Sequence, residues 1–133
     1  NVTMAKSWEK YGIHALETLY PIVGPGFISL QNTGDKNRNI VHLKHRSGID
    51  INIANINDML GGFGMITLAG TKAGIQIRTN DTYYAFKKQL VSYVNFLKSG
   101  KSPVPWNETY ELMQLVIAGI KSREENGSII YIK

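Results

Sequence analysis

Lys10, His14 and Glu17 stand at positions i, i+4 and i+7, so on a helix their side chains point into one shared space. An imidazole titrates near neutral pH, and on such a face it can exchange a proton with a hydroxyl group while Glu17, one turn away, orients the ring. The competing reading is a solvated helix face on which Lys10 and Glu17 pair with their neighbours. The other two histidines, His42 and His45, have no short spacing with carboxylates that completes a set of metal ligands. Three residues apart, they fall on opposite faces of a strand, and surface or packing roles are expected of them. Serine and aspartate are scattered without a nucleophile-elbow motif.

Gly61-Gly62-Phe63-Gly64 sits between predicted strands and lacks the following helix whose N-terminus would hold a phosphate. It reads as a glycine turn or bulge, and the chain by itself is expected to bind no dinucleotide. Asn1, Asn80, Asn107 and Asn126 each begin an Asn-x-Ser/Thr sequon. Three of them also stand where a cap or turn is needed, which favours local structure over glycosylation.

The elements that position these residues follow from periodicity and punctuation. Residues 7 to 22 read as a helix, with Ser7 placed to cap it and Trp8, Gly12, Ile13, Ala15, Leu16, Leu19 and Tyr20 on one arc. Pro21 and Gly24-Pro25-Gly26 are expected to end it. From Phe27 the period changes to two. Five strands fit, at 27–32, 39–46, 50–57, 64–69 and 74–78, with turn signals between them. Asn80-Asp81-Thr82 offers a cap for a helix over 82–99, where Phe86, Leu90, Val94 and Leu97 recur at close to four-residue spacing. Gly100 ends it. After Pro103-Val104-Pro105-Trp106, Asn107 is expected to cap a helix to about Glu125, closed by Asn126-Gly127, and 128–132 reads as a final strand. The predicted fold class is α+β, a largely antiparallel sheet of about six strands with helices packed on one face.

With 133 residues, 43% hydrophobic and 19% charged, one globular domain spanning 1–133 is expected. No apolar run approaches the roughly 18 to 20 residues of a membrane helix. The first residues lack the basic-then-apolar order of a signal peptide, and the expected compartment is the cytoplasm. Zero cysteines exclude disulfides, thiol catalysis and cysteine-bound metals within this chain. A net charge of +5 raises nucleic acid as a partner. The densest basic stretch is Lys36, Arg38, His42, Lys44, His45 and Arg46, but the strands over 27–57 carry one aromatic residue, Phe27, so stacking platforms are scarce. A nucleic-acid-binding domain is therefore disfavoured, and a stand-alone interaction module remains a further alternative.

Three phrases carry a family resemblance. The first is Lys10-Tyr11-Gly12-Ile13-His14-Ala15-Leu16-Glu17. The second is Ile66 to Gly74, with Ala69-Gly70-Thr71-Lys72 at its turn. The third is Phe96-Leu97-Lys98-Ser99-Gly100-Lys101-Ser102-Pro103-Val104-Pro105, followed by Glu108-Thr109 and Ala118-Gly119-Ile120-Lys121-Ser122-Arg123-Glu124-Glu125. Together with the order of elements they resemble the C-terminal domain of the Gfo/Idh/MocA family, the glucose–fructose oxidoreductase and inositol dehydrogenase relatives.

The resemblance implies a parent protein whose N-terminal Rossmann domain binds NAD or NADP and supplies a lysine. The C-terminal domain of such a protein closes over a sugar or polyol and builds a homo-oligomer through its open sheet face. It also implies that this chain, without the nucleotide domain, is inactive and holds no cofactor. His14 matches the family's active-site histidine, with Lys10 and Glu17 beside it. The family's aspartate, four residues before that histidine, corresponds to Lys10, and an ammonium cannot accept a hydroxyl hydrogen bond. Either Glu9 or Glu17 takes its place, a different substrate or reaction is served, or dehydrogenase activity is lost.

Overall fold

The computed structural model describes residues 1–60 and 64–133, apart from the Thr79 side chain. Gly61, Gly62 and Phe63 of the predicted glycine turn lie outside the described residues. The elements run β1 (Val2–Ala5), α1 (Trp8–Val23), β2 (Phe27–Asn32), β3 (Arg38–His45), β4 (Asp50–Ile56), β5 (Gly64–Ala69), β6 (Gly74–Thr79), α2 (Thr82–Ser99), α3 (Trp106–Glu124) and β7 (Ile130–Tyr131). One sheet holds all seven strands in the order β6-β5-β1-β4-β3-β2-β7. It is antiparallel except where β1 runs parallel to β4, with Val2 opposite Ile53 and Ala5 opposite Ile56. Because β2, β3 and β4 alternate in direction, β1 and β2 run the same way, and α1 joins them as the crossover of a split β-α-β unit.

β1 is absent from the sequence expectation. Four residues, Val2-Thr3-Met4-Ala5, are too few for a period of two to show, yet β1 is central and Val2, Met4 and Ala5 are buried. Two helix ends also differ. α1 runs through Pro21 to Val23, since a proline in the last turn removes only one ladder bond, and the Gly24 N–H closes the helix on the Tyr20 carbonyl at 2.8 Å. α3 starts at Trp106 with Pro105, rather than Asn107, in the N-cap position.

α1 and α3 cover one face of the sheet; α2 does not. Its apolar stripe reads as a core stripe in sequence, but no residue of α2 is buried. The core therefore lies between α1, α3 and the inward side chains of the strands: Leu16 and Leu19 from α1, Leu115 and Val116 from α3, and Leu30, Val41, Leu43, Ile51 and Ile53 from the sheet. Alternation in β4 is as expected, with Ile51 and Ile53 inward and Asn52 exposed. Among the described residues, no helix is long and apolar enough to cross a membrane.

Trp8 joins the two covering helices. It is fully buried, and its indole N–H donates to the Val116 carbonyl at 2.9 Å. Gly12 and Gly119 pass on either side of the ring, where an added Cβ would come within 2.7 Å and 2.5 Å of indole atoms. One turn beyond Gly119, the Ser122 hydroxyl accepts from the Asn32 N–H at 2.8 Å and donates to the Ser128 carbonyl at 2.5 Å. Arg123 donates to Asn39 at 2.8 Å and to the Glu9 carboxylate. The Ala118-to-Arg123 phrase thus spells out how α3 is fastened to α1 and to the sheet.

Burial pushes the Glu9 carboxyl up, but its hydrogen bonds and the Arg123 charge prevail and hold it below the ordinary value. A depressed carboxyl stabilises the fold above its unfolded pKa, and that contribution fades as pH falls through the folded value. Glu9→Gln is therefore expected to lower the urea midpoint at neutral pH and to flatten its decline on acidification. A variant curve parallel to the wild type down to acid pH would contradict the coupling.

Candidate functional site

α1 presents two faces. Trp8, Gly12, Ala15, Leu16, Leu19 and Tyr20 turn inward, and this fixes the rotation that leaves Lys10, His14 and Glu17 outward. The His14 Nδ1 lies 3.0 Å from the Glu17 carboxylate, with their side chains 46% and 53% exposed. The Tyr11 ring meets the imidazole edge-on, with centroids 5.1 Å apart. The structure brings His14 and Glu17 together as the spacing implies, whereas the Lys10 ammonium is exposed and makes no ion pair with either among the described residues.

His14 and Tyr11 line a cleft of about 660 Å³ closed on its other sides by the β6–α2 turn and the first turns of α2, through Asn80, Asp81, Thr82, Tyr84, Phe86 and Gln89. Lys10 is not among the lining residues. Glu17 instead borders a neighbouring cleft of about 450 Å³ with Tyr20, Val104 and Glu108, so the hydrogen-bonded His14–Glu17 pair forms the ridge between the two. The α2 side chains in the first cleft were not foreseen as site residues, because Asn80-Asp81-Thr82 signals a cap and Phe86 a core position. The cap is real: the Asp81 carboxylate accepts from the Tyr84 N–H at 2.8 Å.

Behind the second cleft, Glu111 is a further residue that the sequence did not single out. Its carboxylate accepts from the Tyr20 hydroxyl at 2.5 Å, the Gly26 N–H at 2.9 Å and the Phe27 N–H at 3.1 Å. Burial, with the Glu111 bond and charge, pushes the Tyr20 phenol well above its ordinary value, so it remains a donor. This fastens the end of α1 and the start of β2 to α3.

The remaining histidines separate as strand alternation requires. His45 is buried beneath Phe27 and bonds Ser47 at 2.8 Å and the Pro25 carbonyl at 3.1 Å. His42 is on the other face, 3.2 Å from Asp50. Hydrogen bonds from Lys44 and His42 hold the Asp50 carboxyl below its ordinary value. With Arg38 paired to Asp58 at 2.9 Å, three side chains of the basic stretch are engaged by acids. Among the described residues, no group of three His, Cys, Asp or Glu side chains could hold a metal ion. The strand-to-helix junctions before α1 and α2, Lys6-Ser7 and Asn80-Asp81, carry no glycine, and the Asp81 carboxylate takes up the α2 N-terminus. Neither junction fits a dinucleotide pyrophosphate.

No family model matches the sequence, and no curated protein matches it. Solved structures do. A myo-inositol dehydrogenase from Corynebacterium glutamicum superposes with a TM-score of 0.79 at 15% identity, over 99% of this chain and 55% of its own. The chain has the fold found in the myo-inositol dehydrogenases. A second such enzyme, from Lactobacillus casei in complex with NAD(H) and myo-inositol, gives 0.79 at 13% identity over 99% of this chain and 52% of its own. A probable dehydrogenase from Thermotoga maritima gives 0.66 at 15% identity over 98% and 54%. The chain thus spans about half the length of the structures it matches, and the α+β architecture is common to all of them.

Proposed function

We propose that this chain is the substrate-binding and oligomerisation domain of an NAD(P)-dependent sugar or polyol oxidoreductase, working with an N-terminal nucleotide-binding domain. The observation that carries the reading is the His14–Glu17 pair on the rim of an aromatic-walled cleft. It is supported by the shared fold and by the chain's spanning about half the length of those enzymes. The cofactor belongs to the other domain in this reading, which the lack of glycine at the Lys6-Ser7 and Asn80-Asp81 junctions supports. This chain contributes binding and proton handling.

In this reading the His14 imidazole takes the proton of a substrate hydroxyl, and the Glu17 carboxylate, 3.0 Å from Nδ1, orients the ring. Tyr11, Tyr84 and Phe86 provide apolar walls for the carbon face of a sugar, and Asn80 and Gln89 provide amides for its hydroxyls. Lys10, exposed and outside the lining of this cleft, is given no part in proton transfer in this reading and is a surface cation beside the site. The sheet face away from α1 and α3 carries Ile40, 48% exposed, opposite Ala54, and is the face for self-association.

The test is turnover by the polypeptide that joins this chain to its nucleotide domain, supplied with NAD or NADP and a panel of sugars and polyols. Substrate-dependent formation of reduced nicotinamide is expected. Cofactor binding without turnover of any member of the panel would overturn the substrate assignment, and a polypeptide that binds neither cofactor would overturn the reading as a whole.

A further inference from the structure

α2 is eighteen residues long and buries none of them. Phe86, Leu90, Tyr93 and Leu97 recur along it at i, i+4, i+7 and i+11 and are 66%, 63%, 55% and 62% exposed. An isolated helix of this length is marginal in water, and most helices in proteins are held by burying such a stripe. Among the described residues nothing supplies the cover, because α1 and α3 already fill the sheet face and α2 stands off it. We infer that the α2 stripe is the seat of the nucleotide-binding domain, which packs on it and thereby completes the His14 cleft.

Three observations choose that occupant. The first turns of α2 are themselves a wall of the cleft, through Thr82, Tyr84 and Phe86, so whatever covers the stripe borders the site. The superposed enzymes have nearly as much chain again beyond the part this domain matches. The charge on α2 is one-sided: it carries Lys87, Lys88 and Lys98 and no Asp or Glu, with Lys88 held over the Tyr84 ring at 5.4 Å. The complementary surface is an apolar patch with an acidic rim. The inference rests on the reading above and adds which surface the second domain uses.

Hydrogen exchange tests it. In the 133-residue chain alone the α2 amides are expected to exchange nearly as fast as an unfolded peptide. In the polypeptide joined to its nucleotide domain they should slow at least tenfold, and Leu90→Glu should abolish the slowing. The same substitution should leave the urea midpoint of the 133-residue chain unchanged, since Leu90 buries nothing there. Equal α2 exchange in the two forms would overturn the inference. So would α2 protection that grows with concentration in the chain alone, which would make a second copy the occupant. Co-sedimentation of the chain with phosphatidylserine vesicles, lost in Leu90→Glu, would likewise overturn it in favour of a membrane surface, since a basic amphipathic helix also suits one. Cofactor binding by the joined polypeptide is measured separately, and its failure overturns the functional reading whatever α2 does.

Discussion

Trp8→Ala is expected to destabilise the domain by about 3–5 kcal/mol, the usual cost of emptying a large aromatic site. Whole domains of this size are stable by about 5–15 kcal/mol, so one substitution removes a large share. The ring is fully buried and lies between Gly12 of α1 and Gly119 of α3. Neither glycine has a side chain to fill the space, so the cavity can close only if the helices move. The Val116 carbonyl also loses its indole donor at 2.9 Å, an added penalty for a buried polar group. Urea denaturation should show the midpoint falling by at least about 1 M, given m-values of about 1–3 kcal/mol/M. A midpoint within error of the wild type would mean that the Trp8 contacts do not hold α1 to α3. The site depends on this joint, because the rotation of α1 about Trp8 is what leaves His14 facing the cleft.

His14→Ala should lower turnover of the joined polypeptide by about a hundredfold or more, the range for a general acid–base group. The loss should fall mainly on kcat, because the aromatic walls proposed to hold the substrate remain. Glu17→Gln retains the imidazole and exchanges the carboxylate 3.0 Å from Nδ1 for an amide, so it should cost less than His14→Ala. Unaltered turnover in His14→Ala would end the catalytic assignment and leave a solvated helix face.

The residues that made the fold legible were those under local control. Glycine and asparagine turns bracketed β2 to β6 within a residue or two, and Gly100 and Asn126-Gly127 closed α2 and α3, with left-handed backbone at all three residues. The inward arc of α1 followed from its period alone, and with it the outward placement of His14 and Glu17. Features that depend on distant partners were not legible. Met4 is inward because β4 and β5 flank it, Glu111 matters because Gly26 and Phe27 end nearby, and the Phe86–Leu97 stripe reads the same whether its cover is the sheet or another domain. Periodicity reports that a face is apolar; it does not say which surface the face meets.

The seven-stranded sheet is in effect two sheets sharing a seam. β6 and β5 lie on one side of β1, β4, β3, β2 and β7 on the other, and among the described residues only β1 bonds to both, through Val2 opposite Ile53 and Ile66. Both partners of this strand come late in the chain relative to it, so the seam closes through contacts of high sequence separation, whereas the hairpins on either side form from neighbours. The β2–β3–β4 meander and the β5–β6 hairpin should thus be present before β1 is inserted between them. α1 follows β1 directly, so the wall that carries His14 takes its final position only when the seam is made, and assembly of the cleft is among the last events of folding rather than one of the first.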